Sequence, residues 1–231
     1  MPTEINHIET AKKNTAIAPG LTIVYWGRED VALINAFEQA KEQFSLQWRP
    51  FIWWYTEDHI HATLSALTRT KYGQYTPLKR NQLPAALHAS VNFLSKIKPF
   101  EVEFSELVIR ADGQIQFAGY LNRTGAIENV RAIRELWKIS DPELQFLDRP
   151  KSDNETLHVN LGYFQKPAPG IVAKAIQIEP ISIEISNVSI VHYLRRTLEL
   201  KYVPGQYHLP LGLSGDMEVD EAYFYDTLYL K

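Results

Sequence analysis

Apolar positions along this chain fall into two successions of the same kind. Leu21-Thr-Ile-Val-Tyr-Trp26 reads as a strand, and Glu29 to about Phe44 follows with helical spacing at Val31, Ile34, Phe37 and Ala40. The segment Trp48-Arg-Pro-Phe-Ile-Trp-Trp-Tyr55 then leads to a short strand beginning at His61. Further along, Gln114–Tyr120 reads as a strand, and Thr124 to about Ile139 as a helix with Ile127, Val130, Ile133, Leu136 and Trp137 on its apolar side. That helix leads to another short strand beginning at His158. A helix over about Leu83–Ile97, opened near Pro84, has a shorter counterpart over about Ile171–Ile176.

Glu101–Ile109 lies over Ser182–Ile190 without a gap, matching in apolar alternation and in Glu, Ser and Ile at three positions. Each begins a hairpin. One turns at Asp112-Gly113 into the strand 114–120; the other turns near Arg195-Arg196 and returns through 198–203. A repeat of this kind predicts an α+β protein. It has two pseudo-symmetric lobes, each a mostly antiparallel sheet with outer helices. The two histidine strands face one another across a central cleft. Residues 1–19 read as a flexible N-terminal arm and 20–231 as a single bilobal domain.

The strands that carry histidine hold the candidate chemistry. His61-Ala-Thr63-Leu and His158-Val-Asn160-Leu start 97 residues apart. In a strand, positions i and i+2 share a face, so each offers one imidazole and one hydrogen-bonding side chain to the same space. Histidine titrates near neutrality, so one ring can serve as base while the other serves as acid. A Thr hydroxyl or an Asn amide can donate to an anion between them.

Composition narrows the classes. There are no cysteines, which excludes disulfide and thiolate chemistry. No apolar run reaches the roughly 18 residues of a membrane helix, and the first residues lack the apolar core of a signal peptide. The expectation is a cytoplasmic protein, a monomer, with no membrane partner. A net charge of −3 argues against a long nucleic-acid duplex as partner. Yet His59–Phe100 contains no Asp or Glu while carrying Arg69, Lys71, Lys79, Arg80, Lys96 and Lys98, and Thr156–Ile178 contains none while carrying Lys166 and Lys174, so an anion near either motif meets no carboxylate from these segments.

Two His-x-Thr/Ser-like motifs in two strand–helix repeats resemble the two-histidine phosphoesterase superfamily, which includes the 2′-5′ RNA ligase-like proteins and cyclic nucleotide phosphodiesterases. The resemblance spans about residues 20–210; Asn160 departs from it, standing where Thr or Ser is usual. It implies that His61 and His158 are the acid/base pair and that Thr63 and Asn160 bind phosphate, with no metal and no cofactor. The implied activity is a phosphodiesterase acting on a 2′,3′-cyclic phosphate or a 2′-5′ linkage of a small nucleotide or RNA terminus. The alternatives are 2′-5′ RNA ligation and a non-catalytic nucleotide or RNA sensor.

Following the first motif, Arg69 and Lys71 lie in a basic segment interleaved with Tyr72 and Tyr75, which reads either as a binder of phosphates and bases or as an ordinary solvated loop. Tyr163 and Tyr193 are further substrate-binding candidates. Trp53, Trp54 and Tyr55 read as core or lobe-interface residues. His59 shares the His61 face in a regular strand, but no partners at metal spacing accompany it. His7, His88, His192 and His208 read as structural or exposed.

Overall fold

The computed structural model describes residues 20–44, 46–66, 90–121, 124–140, 156–165, 170, 172–194, 198, 203 and 205–212. The predicted arm 1–19, the basic segment with Arg69 and Lys71, and the Arg195-Arg196 turn lie outside them. So do residues 83–89 of the predicted helix 83–97; in the described remainder, 90–94 is helical.

The first strand, β1 (Gly20–Trp26), ends in a 3-10 turn over Gly27–Glu29, and α1 (Val31–Gln43) starts where Asp30 Oδ1 accepts the Leu33 amide at 3.0 Å. The buried stripe of α1 is Leu33, Phe37 and Ala40, continued by Phe44, while Val31 is 73% exposed. Helix geometry explains this correction to the predicted stripe. Successive three-residue steps drift around a helix of 3.6 residues per turn, so positions nine apart stand on roughly opposite sides. After β2 (Ile52–Trp54) and β3 (His61–Ala66) the chain reaches β4 (Phe100–Ile109). A tight turn with Gly113 at φ 83° then leads into β5 (Gln114–Tyr120), as the Asp-Gly pair predicted. The helix α2 (Thr124–Ser140) buries Ala126, Val130, Ile133 and Leu136. The Trp137 side chain lies outside the described residues. Strand β6 (Thr156–Phe164) carries the second motif, followed by β7 (Lys174–Ile185), β8 (Asn187–Tyr193) and β9 (Gly205–Pro210).

All pairings are antiparallel, in the order β7-β4-β5-β6-β3-β1-β8-β9, with β2 added to β6. The two lobes therefore join edge to edge in one sheet, and the histidine strands lie side by side at its centre. The predicted arrangement across a cleft gives way to a shared floor. The order is symmetric about the β3–β6 contact: β1 corresponds to β5, β8 to β4 and β9 to β7. Strand β4 follows the first motif in the chain but pairs with β5, while β8 follows the second motif and pairs with β1.

Three further expectations change. Residues 174–176 belong to β7, an edge strand, where a short helix was predicted. The stretch 182–190 breaks at Ser186, because β7 ends beside β4 and β8 continues beside β1. The strand that returns along β8 is 205–210, later than predicted.

Both helices cover one face of the sheet. The large core there joins α1 and α2 to residues of both lobes, including Ile23, Ala62 and Leu64 on one side and Phe104, Phe117 and Val159 on the other. A smaller cluster of Val24, Trp26, Val191, Tyr193 and Leu198 lies on the opposite face.

Candidate active site

At the centre of the sheet Ala62 pairs with Val159. These two are separated by the same 97 residues as the histidines, so the pseudo-two-fold axis passes between them. The flanking residues of an antiparallel ladder also meet, which sets His61 opposite Asn160 and Thr63 opposite His158. Ala62 and Val159 are fully buried in the helix-side core, so the four motif residues belong to the other face. Opposed side chains start about 5 Å apart, and diagonal neighbours such as the two histidines about 7–8 Å apart, somewhat less between Cβ atoms. That leaves room for a tetrahedral group between two imidazoles, with Thr63 and Asn160 closing the other diagonal.

One pair of residues is little to hold two strands together. Arg134 of α2 adds to it. Its Nε donates to the Leu64 carbonyl at 3.2 Å and its Nη2 to the Thr156 carbonyl at 3.0 Å. One planar guanidinium thus ties β3 to β6 beyond the Ala62–Val159 pair.

The histidines differ in surroundings. His61 is 2% exposed, and its Nδ1–H donates to the His59 carbonyl at 2.7 Å. A carbonyl only accepts, so the neutral ring keeps its lone pair on Nε2. Burial pushes His61 down from 6.5 to about 4; the His59 carbonyl opposes this and the nearby His59 charge adds to it. His158 is half-buried, and its Nδ1 lies 3.1 Å from Nε2 of Gln116, itself a buried residue. Donation in that sense leaves the proton of the neutral ring on Nε2. A protonated His158 needs the amide turned, with Oε1 toward Nδ1.

Gln116 pairs with Asn160, and Ala118 with His158, so β5 adds a polar side chain and a small one to the floor. The β5–β6 register shifts between Ile115 and Gln116, which brings Tyr163, opposite Gln114, onto the histidine face. Beside it stands Trp53, its strand partner, with ring centroids 5.2 Å apart. Tyr55 meets Trp53 edge-on, and His59 lies nearly parallel to it at 6.4 Å. Trp54 belongs to the core, against Phe37 and Phe44, as expected. Trp53, expected in the core or at the lobe interface, is half-buried on the histidine face, where it pairs with Tyr163 of the other lobe. Tyr193 shares this face and the cluster around Trp26, but it pairs with Gly20, four residues along β1 from the Val24 that pairs with Thr63. Among the described residues no group of three or more His, Asp or Glu is placed to hold a metal ion. A cavity of about 440 Å³ between α1 and β7 lies on the helix side, away from the histidines.

Solved structures share this architecture. TT0787 of Thermus thermophilus aligns at 16% identity with a TM-score of 0.56, covering 82% of this chain and 97% of its own. Escherichia coli LigT in complex with 3′-AMP aligns at 12% identity and TM-score 0.52, over 84% and 95%. A structure described as a phosphoesterase aligns at 11% and 0.50, over 85% and 96%. The chain has the fold of these structures. No family model matches the sequence, and no curated protein does either. Two residues at this site, Gln116 and Arg134, are not among the sequence-predicted candidates. Gln116 was visible as a polar residue between Ile115 and Phe117 in an apolar strand. Arg134 acts through long-range pairing and leaves no local signal.

Proposed function

We propose that this protein is a phosphodiesterase that opens a 2′,3′-cyclic phosphate, or cleaves a 2′-5′ linkage, at a nucleotide or RNA terminus. The observation that carries the reading is the register of β3 against β6, which gathers His61, Thr63, His158 and Asn160 on one face around a single diagonal. His61, held neutral by burial, is the base. Its Nε2 takes a proton from water, and the oxygen of that water attacks phosphorus. His158 enters as imidazolium and gives its Nε2 proton to the departing ribose oxygen. The P–O bond to that oxygen breaks, leaving a phosphomonoester and a free hydroxyl. Thr63 and Asn160 donate to the non-bridging oxygens as charge grows on them. Trp53 and Tyr163 offer ring faces to a base beyond Asn160. The complex of LigT with 3′-AMP supports a nucleoside phosphate as the ligand class for such a floor.

The test is turnover of 2′,3′-cyclic nucleotides and 2′-5′-linked oligonucleotides with chelator present, for wild type, His61→Ala and His158→Ala. Loss in both variants is expected. Activity that survives both substitutions, or that requires added metal, overturns the mechanism. Tight binding without turnover in wild type replaces it with a sensor, and joining of RNA ends replaces it with a ligase.

A further inference from the structure

The histidine face extends past His61 across β1, β8 and β9. Trp26 pairs with His61 and meets its ring edge-on at 5.7 Å. Over the Trp26 ring sits the Arg28 guanidinium, 4.8 Å from the centroid. Arg28 is half-buried, and with the other described residues it makes no ion pair and no hydrogen bond. Five N–H donors are therefore held against an aromatic plate with no carboxylate engaged.

Other donors share this neighbourhood. The indole N–H of Trp26 is buried without a partner among the described residues. Ser189, opposite Val24, and His208, opposite Ser189, continue the same face, and Ser189 Oγ lies 2.7 Å from His208 Nδ1. With the hydroxyl donating, the neutral His208 ring keeps its proton on Nε2 as a further donor. Burial and then the Arg28 charge hold His208 below its ordinary value, with Glu29 pulling the other way. Glu29 is exposed and is the acid closest in sequence to this group.

We propose that Arg28, seated on Trp26 with His208 nearby, is a second phosphate subsite. It takes the phosphate neighbouring the one between the two histidines. This deepens the phosphodiesterase reading and rests on it for the position of the first phosphate. Two ring contacts in series separate Arg28 from His61, the span of one to two nucleotide units. The substrate is then a nucleotide carrying a second phosphate, such as an RNA terminus, in preference to a bare cyclic mononucleotide.

The experiment is calorimetric titration of the full chain with adenosine 3′,5′-bisphosphate and with adenosine 3′-monophosphate, for wild type, Arg28→Gln and Arg28→Lys. Wild type is expected to bind the bisphosphate about tenfold more tightly than the monophosphate, the worth of one charge-assisted contact. Arg28→Gln should remove that preference while leaving monophosphate affinity unchanged, and Arg28→Lys should keep part of it. Equal affinities in wild type, a preference that survives Arg28→Gln, or equal loss for both ligands overturns the subsite. A preference that depends on Arg28 in a protein that turns over no cyclic substrate sustains the subsite and fails the catalytic reading. The two are therefore judged separately.

Discussion

Burial of His61 makes a measurable demand on stability as pH falls. In the fold this ring protonates at about 4, against 6.5 for a free histidine. Between those values the unfolded chain binds a proton that the folded chain refuses, so stability declines as the solution is acidified. The contribution is fully present above pH 6.5, is lost progressively toward pH 4, and changes little below that. At about 1.4 kcal/mol per pH unit the loss approaches ~3 kcal/mol. Other groups titrate over the same range, so the comparison is with His61→Asn, whose amide can keep the hydrogen bond to the His59 carbonyl without titrating. Urea unfolding, followed by the fluorescence of the five tryptophans, should be run on both proteins from about pH 7.5 to 4. The stability of wild type relative to the variant should fall by about 3 kcal/mol on acidification. A difference that stays constant across the range would falsify the claim that His61 is buried as a neutral base. On the proposed mechanism, the acid limb of kcat/KM should then lie near pH 4 and well below 6.5.

Two other perturbations probe the floor around the histidines. Gln116→Glu puts a carboxylate beside His158 Nδ1, so the ring should hold its proton longer and the basic limb of kcat/KM should move up by about one pH unit or more; an unmoved limb would show that Gln116 does not govern His158. Arg134→Met removes both donors that bridge Leu64 and Thr156, and should cost about 1–3 kcal/mol in urea unfolding together with a lower kcat; unchanged stability and turnover would mean that the Ala62–Val159 pair alone holds the strands.

Much of this architecture was readable because the local signals were strong. Alternation marked β1, β5 and β6, and a run of helical spacing marked α1 and α2. The 97-residue offset of the histidines turned out to be the offset of the residues on the pseudo-two-fold axis. Other features depended on which strand neighbours which. Nothing near His61 states that Asn160 lies opposite, or that the floor continues to Arg28 and His208. Bulges misled the alternation as well. The shift beside Gln116 moves Tyr163 to the histidine face, which strict alternation would have given to Gly162. In β7 the irregularity against β4 falls between Gln177 and Ile181, whereas 174–176, predicted as helix, pair regularly with 107–109, a partnership that no local pattern announces. The α1 stripe was misjudged because steps of three were followed without the steps of four that hold a helix face in place.

The exchange of β4 and β8 between the two halves has a consequence for how this molecule came to be and how it comes apart. Each repeat lends a strand to the other, so neither half can complete its own sheet. A cut between the repeats would separate β1 from β8 and β5 from β4 at one stroke. The protein should thus melt as one cooperative unit, with no half-folded species that retains one motif. Whatever ancestral single repeat gave rise to this chain would have needed a second copy of itself to fold, and the duplication would have put into one polypeptide what had been an intertwined pair.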